Sequence, residues 1–281
     1  MEWLEILKAF VQGVVEGVTE WLPVSSTGHI LLLDAIWPMK VSEAFFDVFD
    51  VVIQLGAILA VIIMFFGKLN PFSPKKSPAQ KQGTWMLWCK VAVASMPAAI
   101  LGLLMNNWIS DMKLRYPMAL VYVIAGALAI YGALFIWMER RHNVPKIHNF
   151  EQLSWRTALF IGMFQMLALI PGTSRSGVTI LGAILLGTSR YVAAEFSFFT
   201  AIPVMFGASG LKLVTHREAL GGFTATEWTA LLVGTVTAFV VSVLVIRFLM
   251  NFIKKHDFQP FGVYRIALAA VIMVYFLLVR R

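Results

Sequence analysis

The chain has 281 residues, 59% of them hydrophobic and 14% charged, with a formal net charge of +8 and a mean hydropathy of +0.78. Soluble domains carry about 25% charged residues, so a soluble globular protein is excluded and an all-α polytopic membrane protein is expected. The basic balance belongs to segment ends and loops. No basic stretch is interleaved with aromatics as a single-strand binder requires, so no nucleic-acid partner is expected.

The N-terminal MEWLEILKAF lacks a basic flank and does not read as a cleaved signal peptide. An apolar helix of about 19 residues runs from residue 4 to 22 and is broken by PVSSTG. The next apolar run, His29 to Trp37, spans only about 13 Å at 1.5 Å per residue. Crossing a bilayer takes ~30 Å. Residues 4–37 are therefore expected to form a re-entrant hairpin that enters the membrane and leaves by the same side, followed by spans near 45–66, 85–105 and 117–138. Between the first two spans lies GKLNPFSPKKSPAQKQG (67–83), which reads as an exposed loop and is given no function. Cys89, the one cysteine, excludes an intrachain disulfide and is assigned to packing. Tryptophans and tyrosines are assigned to the membrane interfaces.

The polar stretch ERRHNVPKIHNFEQ (139–152) divides two halves, 1–140 and 150–281. The second half opens as the first does: an arm, PGTSRSG, then the short run Val178 to Leu186, giving a hairpin at 153–187 and spans near 193–213, 228–250 and 261–279. GVVEGVTEWLPVSSTG (13–28) resembles GMFQMLALIPGTSRSG (162–177), with Pro23 facing Pro171. A hairpin plus three spans makes an odd number of crossings, so the second repeat is inverted, as in inverted-repeat transporters. Basic residues in the 67–84 and 139–156 loops, Arg190 and Lys254–Lys255 outnumber Lys113, Arg115, Lys212 and Arg217 on the opposite side. That bias places both termini outside, and the two broken turns can meet near the midplane.

Ionisable groups at membrane depth usually face a cavity and mark a pathway or a site. Glu16 and Glu20 are four residues apart on one helical face, where they can share a proton or hold a hard cation such as Mg²⁺ or Ca²⁺. Gly13 and Gly17, beside them, allow another backbone to approach closely. Ser25, Ser26 and Thr27 fall where the chain turns into a helix; at least one should cap it, and the helix N-terminus suits phosphate. His29, in the first turn, can transfer a proton or align a hydroxyl. In the second half Thr173, Ser174 and Ser176 can cap or donate. Arg175 has no adjacent acid and suits phosphate oxygens, or pairs with Glu16, Glu20 or Glu195 across the pseudo-twofold. Gln165 takes roughly the place of Glu16 in the repeat. Asp47, Asp50 and Glu195 stand near the starts of their spans, where an interfacial position is equally open to them.

EGVTEWLPVSSTGH (16–29), PGTSRSGVTI (171–180) and AAEFSF (193–198) together resemble the undecaprenyl-diphosphatase family of bacterial inner membranes, the bacitracin-resistance type, and the resemblance runs through nearly the whole chain. It implies hydrolysis of undecaprenyl diphosphate to undecaprenyl phosphate and phosphate, recycling the lipid carrier for cell-wall synthesis. It also implies a divalent-cation requirement, location in the inner membrane and a site open to the periplasmic side. Carried over residue by residue, Glu16 and Glu20 match its glutamate motif, Ser25, Ser26, Thr27 and His29 its hydroxyl–histidine turn, and Ser174, Arg175 and Ser176 its arginine motif. On this reading Glu16 and Glu20 hold the metal. Ser26, His29, Arg175 and Glu20 are catalytic, and Ser25, Thr27, Ser174, Ser176 and Arg175 bind substrate. Ser26 is expected to attack with His29 as its base or orienter, while Ser25, His29 itself and a metal-bound water remain alternative nucleophiles. Expected partners are a polyprenyl diphosphate and membrane lipid, with a second copy of the chain as a candidate. The alternative function is a lipid-phosphate transporter or flippase using the same site.

Overall fold

The computed structural model describes residues 2–115, 117–141 and 144–279, except the side chains of 106–114 and 117. The described residues form α1 (Glu2–Thr19), α2 (Ser26–Ile36), α3 (Glu43–Met64), α4 (Phe66–Leu69), α5 (Pro78–Arg115) and α6 (Pro117–Arg140). The second half follows as α7 (Trp155–Met166, extended by a 3₁₀ turn Leu167–Leu169), α8 (Arg175–Leu185), α9 (Arg190–Thr215), α10 (Arg217–Leu220), α11 (Ala225–Phe252) and α12 (Gln259–Leu278). Among them, six helices are long and apolar enough to cross a membrane: α3, α5, α6, α9, α11 and α12. The chain is a multi-pass, all-helical membrane protein.

Helix starts follow local chemistry. Ser42, Ser154 and Ser189 cap α3, α7 and α9 through their hydroxyls, and Thr224 forms a capping box with Glu227 at α11. The short helices α2 and α8 have 11 residues each, about 16 Å, too short to cross ~30 Å of hydrocarbon.

Packing follows a repeated scheme. Arm α1 packs on α11, arm α7 on α5, α3 on α9, and α6 on α12. Exchanging each helix with its counterpart in the other half leaves this set unchanged. Gly13 and Gly17 carry the close approach expected of them: a Cβ at Gly13 would strike the Gly234 carbonyl, and one at Gly17 would meet the Ala238 carbonyl at 2.8 Å. The contact register advances along both chains together, so α1 runs parallel to α11. Gly162, the counterpart of Gly13, lies against the Ala94 carbonyl, and Gly102 lies beside Leu169, so α7 runs parallel to α5. Helices α3 and α9 are antiparallel and are bridged at both ends. Asp47 meets Lys212 at 3.1 Å and His216 at 3.5 Å, and Glu195 meets Lys68 at 2.6 Å. These directions are consistent with inverted repeats.

Four expectations change. Cys89 is exposed on the apolar outer surface rather than packed, because its face of α5 is turned away from the bundle. Trp21 is wholly buried, edge-on to Phe198 at 5.3 Å, and is not an interface anchor. The 67–83 stretch is folded locally: it includes parts of α4 and α5, and Lys76 Nζ donates to the Lys68 and Asn70 carbonyls and the Thr84 hydroxyl. Finally, Ser25 and Ser174 occupy equivalent places at the starts of α2 and α8, so Pro23 pairs with Gly172 and Pro171 with Leu22, one residue from the expected match. The Lys113 side chain, counted in the orientation argument, lies outside the described residues.

Candidate active site

The two broken turns lie side by side, and one residue ties them. Arg265, fully buried on α12, donates to the carbonyls of Pro23 at 3.2 Å, Gly172 at 3.1 Å and Thr173 at 2.8 Å. It brings to one place two turns about 150 residues apart in sequence, and its charge adds to the positive ends of α2 and α8. Sequence reasoning did not single it out, although an arginine inside an apolar span is itself the signal.

Both turns are strained at the same point. Ser25 and Ser174 adopt φ of 75° and 71°, a region costly for a residue with a Cβ, on the order of 1–3 kcal/mol each. Gly172, at φ +87°, avoids that cost, and a side chain there would also strike the Ile124 backbone. The two serines differ in what their hydroxyls do. Ser174 Oγ accepts from Gly177 N at 3.1 Å and caps α8. Ser25 is the N-cap residue of α2 but makes no cap bond, and its buried hydroxyl has no partner among the described residues. The capping expected in the first turn is therefore not made by the residue placed to make it.

Glu20 connects the halves. It stands just beyond α1, yet its N–H still bonds the Glu16 carbonyl at 3.0 Å, which keeps the helical spacing of the two acids. Its Oε1 accepts from Arg175 Nη2 at 2.9 Å, and its Oε2 accepts from the Ser26 hydroxyl at 3.1 Å. Of the acids offered as partners for Arg175, Glu20 is the one it pairs with. Arg175 also donates to the Ser197 carbonyl at 2.8 Å and lies 5.8 Å from the Trp21 ring centroid, while its Nε has no partner among the described residues.

His29 is not placed against Ser26. Its Nδ1 is 2.7 Å from the Ser25 carbonyl and its Nε2 2.7 Å from the Tyr264 hydroxyl. The base facing Ser26 in this arrangement is Glu20. Ser176 is buried beside Ser174, at 3.2 Å between hydroxyls. Thr27 is exposed. Asp47, with Lys212, ties α3 to α9, and Glu195, with Lys68, ties α9 to α4 just beyond the end of α3. Gln165 is buried, and neither of its side-chain polar atoms has a partner among the described residues.

Glu16 is fully buried, and neither carboxylate oxygen has a hydrogen-bond partner among the described residues. Glu20, Asp50 and Arg175 lie within electrostatic range of it. A carboxylate so placed needs a proton or a cation. No cluster of three or more His, Cys, Asp or Glu with metal-ligand geometry occurs among the described residues. Two carboxylates completed by phosphate oxygens are what Mg²⁺ commonly accepts, so the donor set fits a hard divalent cation held jointly with a phosphate ligand. Unused donors stand nearby on the two turns: the buried Ser25 and Thr173 hydroxyls and Arg175 Nε.

Known proteins resemble this chain over nearly its whole length. The sequence pattern of the bacitracin resistance protein BacA family matches residues 9–271. An undecaprenyl-diphosphatase of Lactiplantibacillus plantarum is 51% identical over 278 residues, covering 98% of this chain and 99% of that protein. Undecaprenyl-diphosphatase 1 of Clostridioides difficile is 54% identical over 275 residues, 98% and 97% of the two chains. That of Enterococcus faecalis is 48% identical over 279 residues, 99% of each. Matched in pattern over most of its length and in sequence by full-length relatives, this chain belongs to the bacitracin resistance protein BacA family.

Proposed function

We propose that this protein is an undecaprenyl-diphosphate phosphatase, releasing the terminal phosphate of undecaprenyl diphosphate at a site built from the two turns. The observation that carries the reading is the Ser26–Glu20–Arg175 chain, in which a hydroxyl, a carboxylate and a guanidinium from the two halves meet beside unused donors. Ser26 Oγ attacks the terminal phosphorus and Glu20 takes its proton. The bridging P–O bond breaks, and undecaprenyl phosphate leaves with the electron pair. Arg175 and the free N–H groups at the starts of α2 and α8 stabilise the charge on the transferring phosphoryl group. Water then releases phosphate from Ser26. Ser25, Ser174 and Ser176 line the turns that hold the phosphate, and Thr27, being exposed, faces the entering headgroup. Glu16 and Glu20 would hold a divalent cation, Mg²⁺ or Ca²⁺, whose charge would offset that of the diphosphate.

The architecture accompanying this reading is two inverted repeats, residues 1–140 and 150–281, each a re-entrant hairpin and three spans, in the bacterial inner membrane with the site open to the periplasmic side. The parallel α1–α11 and α7–α5 pairs and the antiparallel α3–α9 pair support it. Single cysteines at Lys76 and Arg141 should resist an impermeant thiol reagent applied to intact cells, whereas one at Arg217 should react. Labelling of position 76 from outside overturns the orientation.

The same inverted-repeat frame suits a lipid-phosphate flippase, so the decisive experiment removes the membrane. The purified protein in detergent should release phosphate from undecaprenyl or farnesyl diphosphate. Release should fall on chelation and return with Mg²⁺ or Ca²⁺, and Glu16→Gln should blunt that return. Absence of turnover under all metal conditions contradicts the phosphatase reading and leaves transport as the better account.

A further inference from the structure

We propose that Tyr264 is a positioning residue for His29, holding its imidazole in the Nδ1–H tautomer with the Nε2 lone pair directed at α12. The proposal rests on His29 belonging to the site described above. A carbonyl oxygen only accepts, so the 2.7 Å contact between His29 Nδ1 and the Ser25 carbonyl requires the hydrogen on Nδ1. In neutral imidazole Nε2 is then an acceptor, and the Tyr264 hydroxyl, 2.7 Å away, donates to it. The two rings are close to parallel, with an interplanar angle of 7° and centroids 5.6 Å apart, so the ring plane is held as well as the tautomer.

The two anchors come from different halves: Ser25 from the first turn and Tyr264 from α12, where the adjacent Arg265 binds the carbonyls of both turns. One step along α12 thus fixes the backbone of the turns and the histidine beside them. A phenol hydroxyl both donates and accepts. If His29 takes up a proton, Nε2 becomes a donor and the Tyr264 oxygen accepts, so the contact survives both protonation states. With its lone pair engaged by Tyr264, His29 is not the group that deprotonates Ser26, in keeping with the Ser26–Glu20 bond.

The test uses the full chain with ¹⁵N-labelled histidine in detergent, the His29 signals being assigned by their loss in His29→Ala. Wild type should show the Nδ1–H tautomer at His29. In Tyr264→Phe, Nε2 loses its donor and the nitrogen shifts should move towards a mixture of tautomers. Phosphate release should show kcat lowered between about two- and tenfold, the weight of one hydrogen bond, with KM changed less than twofold. Tyr264→His, whose ring can both donate and accept, should recover part of kcat and serves as the second variant if Tyr264→Phe does not fold. Unchanged His29 nitrogen shifts in Tyr264→Phe overturn the proposal, whether or not activity falls. A tautomer shift in a protein that releases no phosphate would uphold the contact and count against the phosphatase reading instead.

Discussion

Ser26→Ala should abolish phosphate release and leave binding of the lipid diphosphate intact. Ser26 begins α2, so its backbone stays in place when the hydroxyl is removed. The change deletes only the Oγ that donates to Glu20 at 3.1 Å. Phosphate recognition on this account belongs to Arg175 and the turn donors, which the substitution leaves untouched. Removal of a covalent nucleophile can cost about 10⁶-fold in kcat, whereas loss of a general base typically costs on the order of 10²- to 10⁴-fold. The base here is Glu20, which faces Ser26, so His29→Ala should be milder still, its nitrogens being committed to Ser25 and Tyr264. Equilibrium binding and single-turnover release, measured separately, distinguish these outcomes. Appreciable turnover by Ser26→Ala contradicts Ser26 as the nucleophile and moves attack to Ser25 or His29, or, without a covalent intermediate, to water.

Arg175→Lys should remain severely impaired although the charge is kept. The guanidinium works in three directions at once: Nη1 to the Ser197 carbonyl, Nη2 to Glu20, and Nε, without a partner among the described residues, towards a phosphate. Both partners of the Arg175–Glu20 ion pair are about nine-tenths buried, so the contacts act in a water-poor setting. Lysine offers one ammonium on a flexible stem and cannot reproduce the fork. Loss of a charge-assisted contact to the transferring group costs about 2–4 kcal/mol, or roughly 30- to 1000-fold in rate. Steady-state phosphate release with a matched binding assay measures this, and near-wild-type turnover by Arg175→Lys shows that the fork is unnecessary.

The breaks after α1 and α7 and the short helices that follow them were legible in the sequence, because PVSSTG and PGTSRSG interrupt each apolar run and leave only a short one behind. Glu16, Glu20 and Arg175 were legible because charge at membrane depth is costly. Which acid Arg175 takes, and which group faces Ser26, depend on how the two turns are set against each other, a tertiary fact that spacing does not encode. Arg265 shows the boundary between the two kinds of information. Its presence in an apolar span could be read, but its role as the tie between the turns needs three carbonyls from two distant segments. Tyr264 gave no signal at all, since a tyrosine in a membrane helix is ordinarily an interface residue. The one-residue slip between Pro23 and Pro171 arose because proline marks a break without fixing its register, whereas the strained serines fix it.

If the two turns act as one site, Glu20 and Arg175 are energetically coupled, and a double-mutant cycle on turnover measures that coupling. Phosphate release is measured for wild type, Glu20→Gln, Arg175→Gln and the double variant in detergent with saturating Mg²⁺. The two side chains touch at 2.9 Å, and contacting residues in one network show coupling of about 0.5–3 kcal/mol. The double variant should therefore be little slower than the worse of the two single variants. If the two losses instead multiply, so that the double variant falls by the product of the single effects, Glu20 and Arg175 act independently, and the site is not shared between the halves.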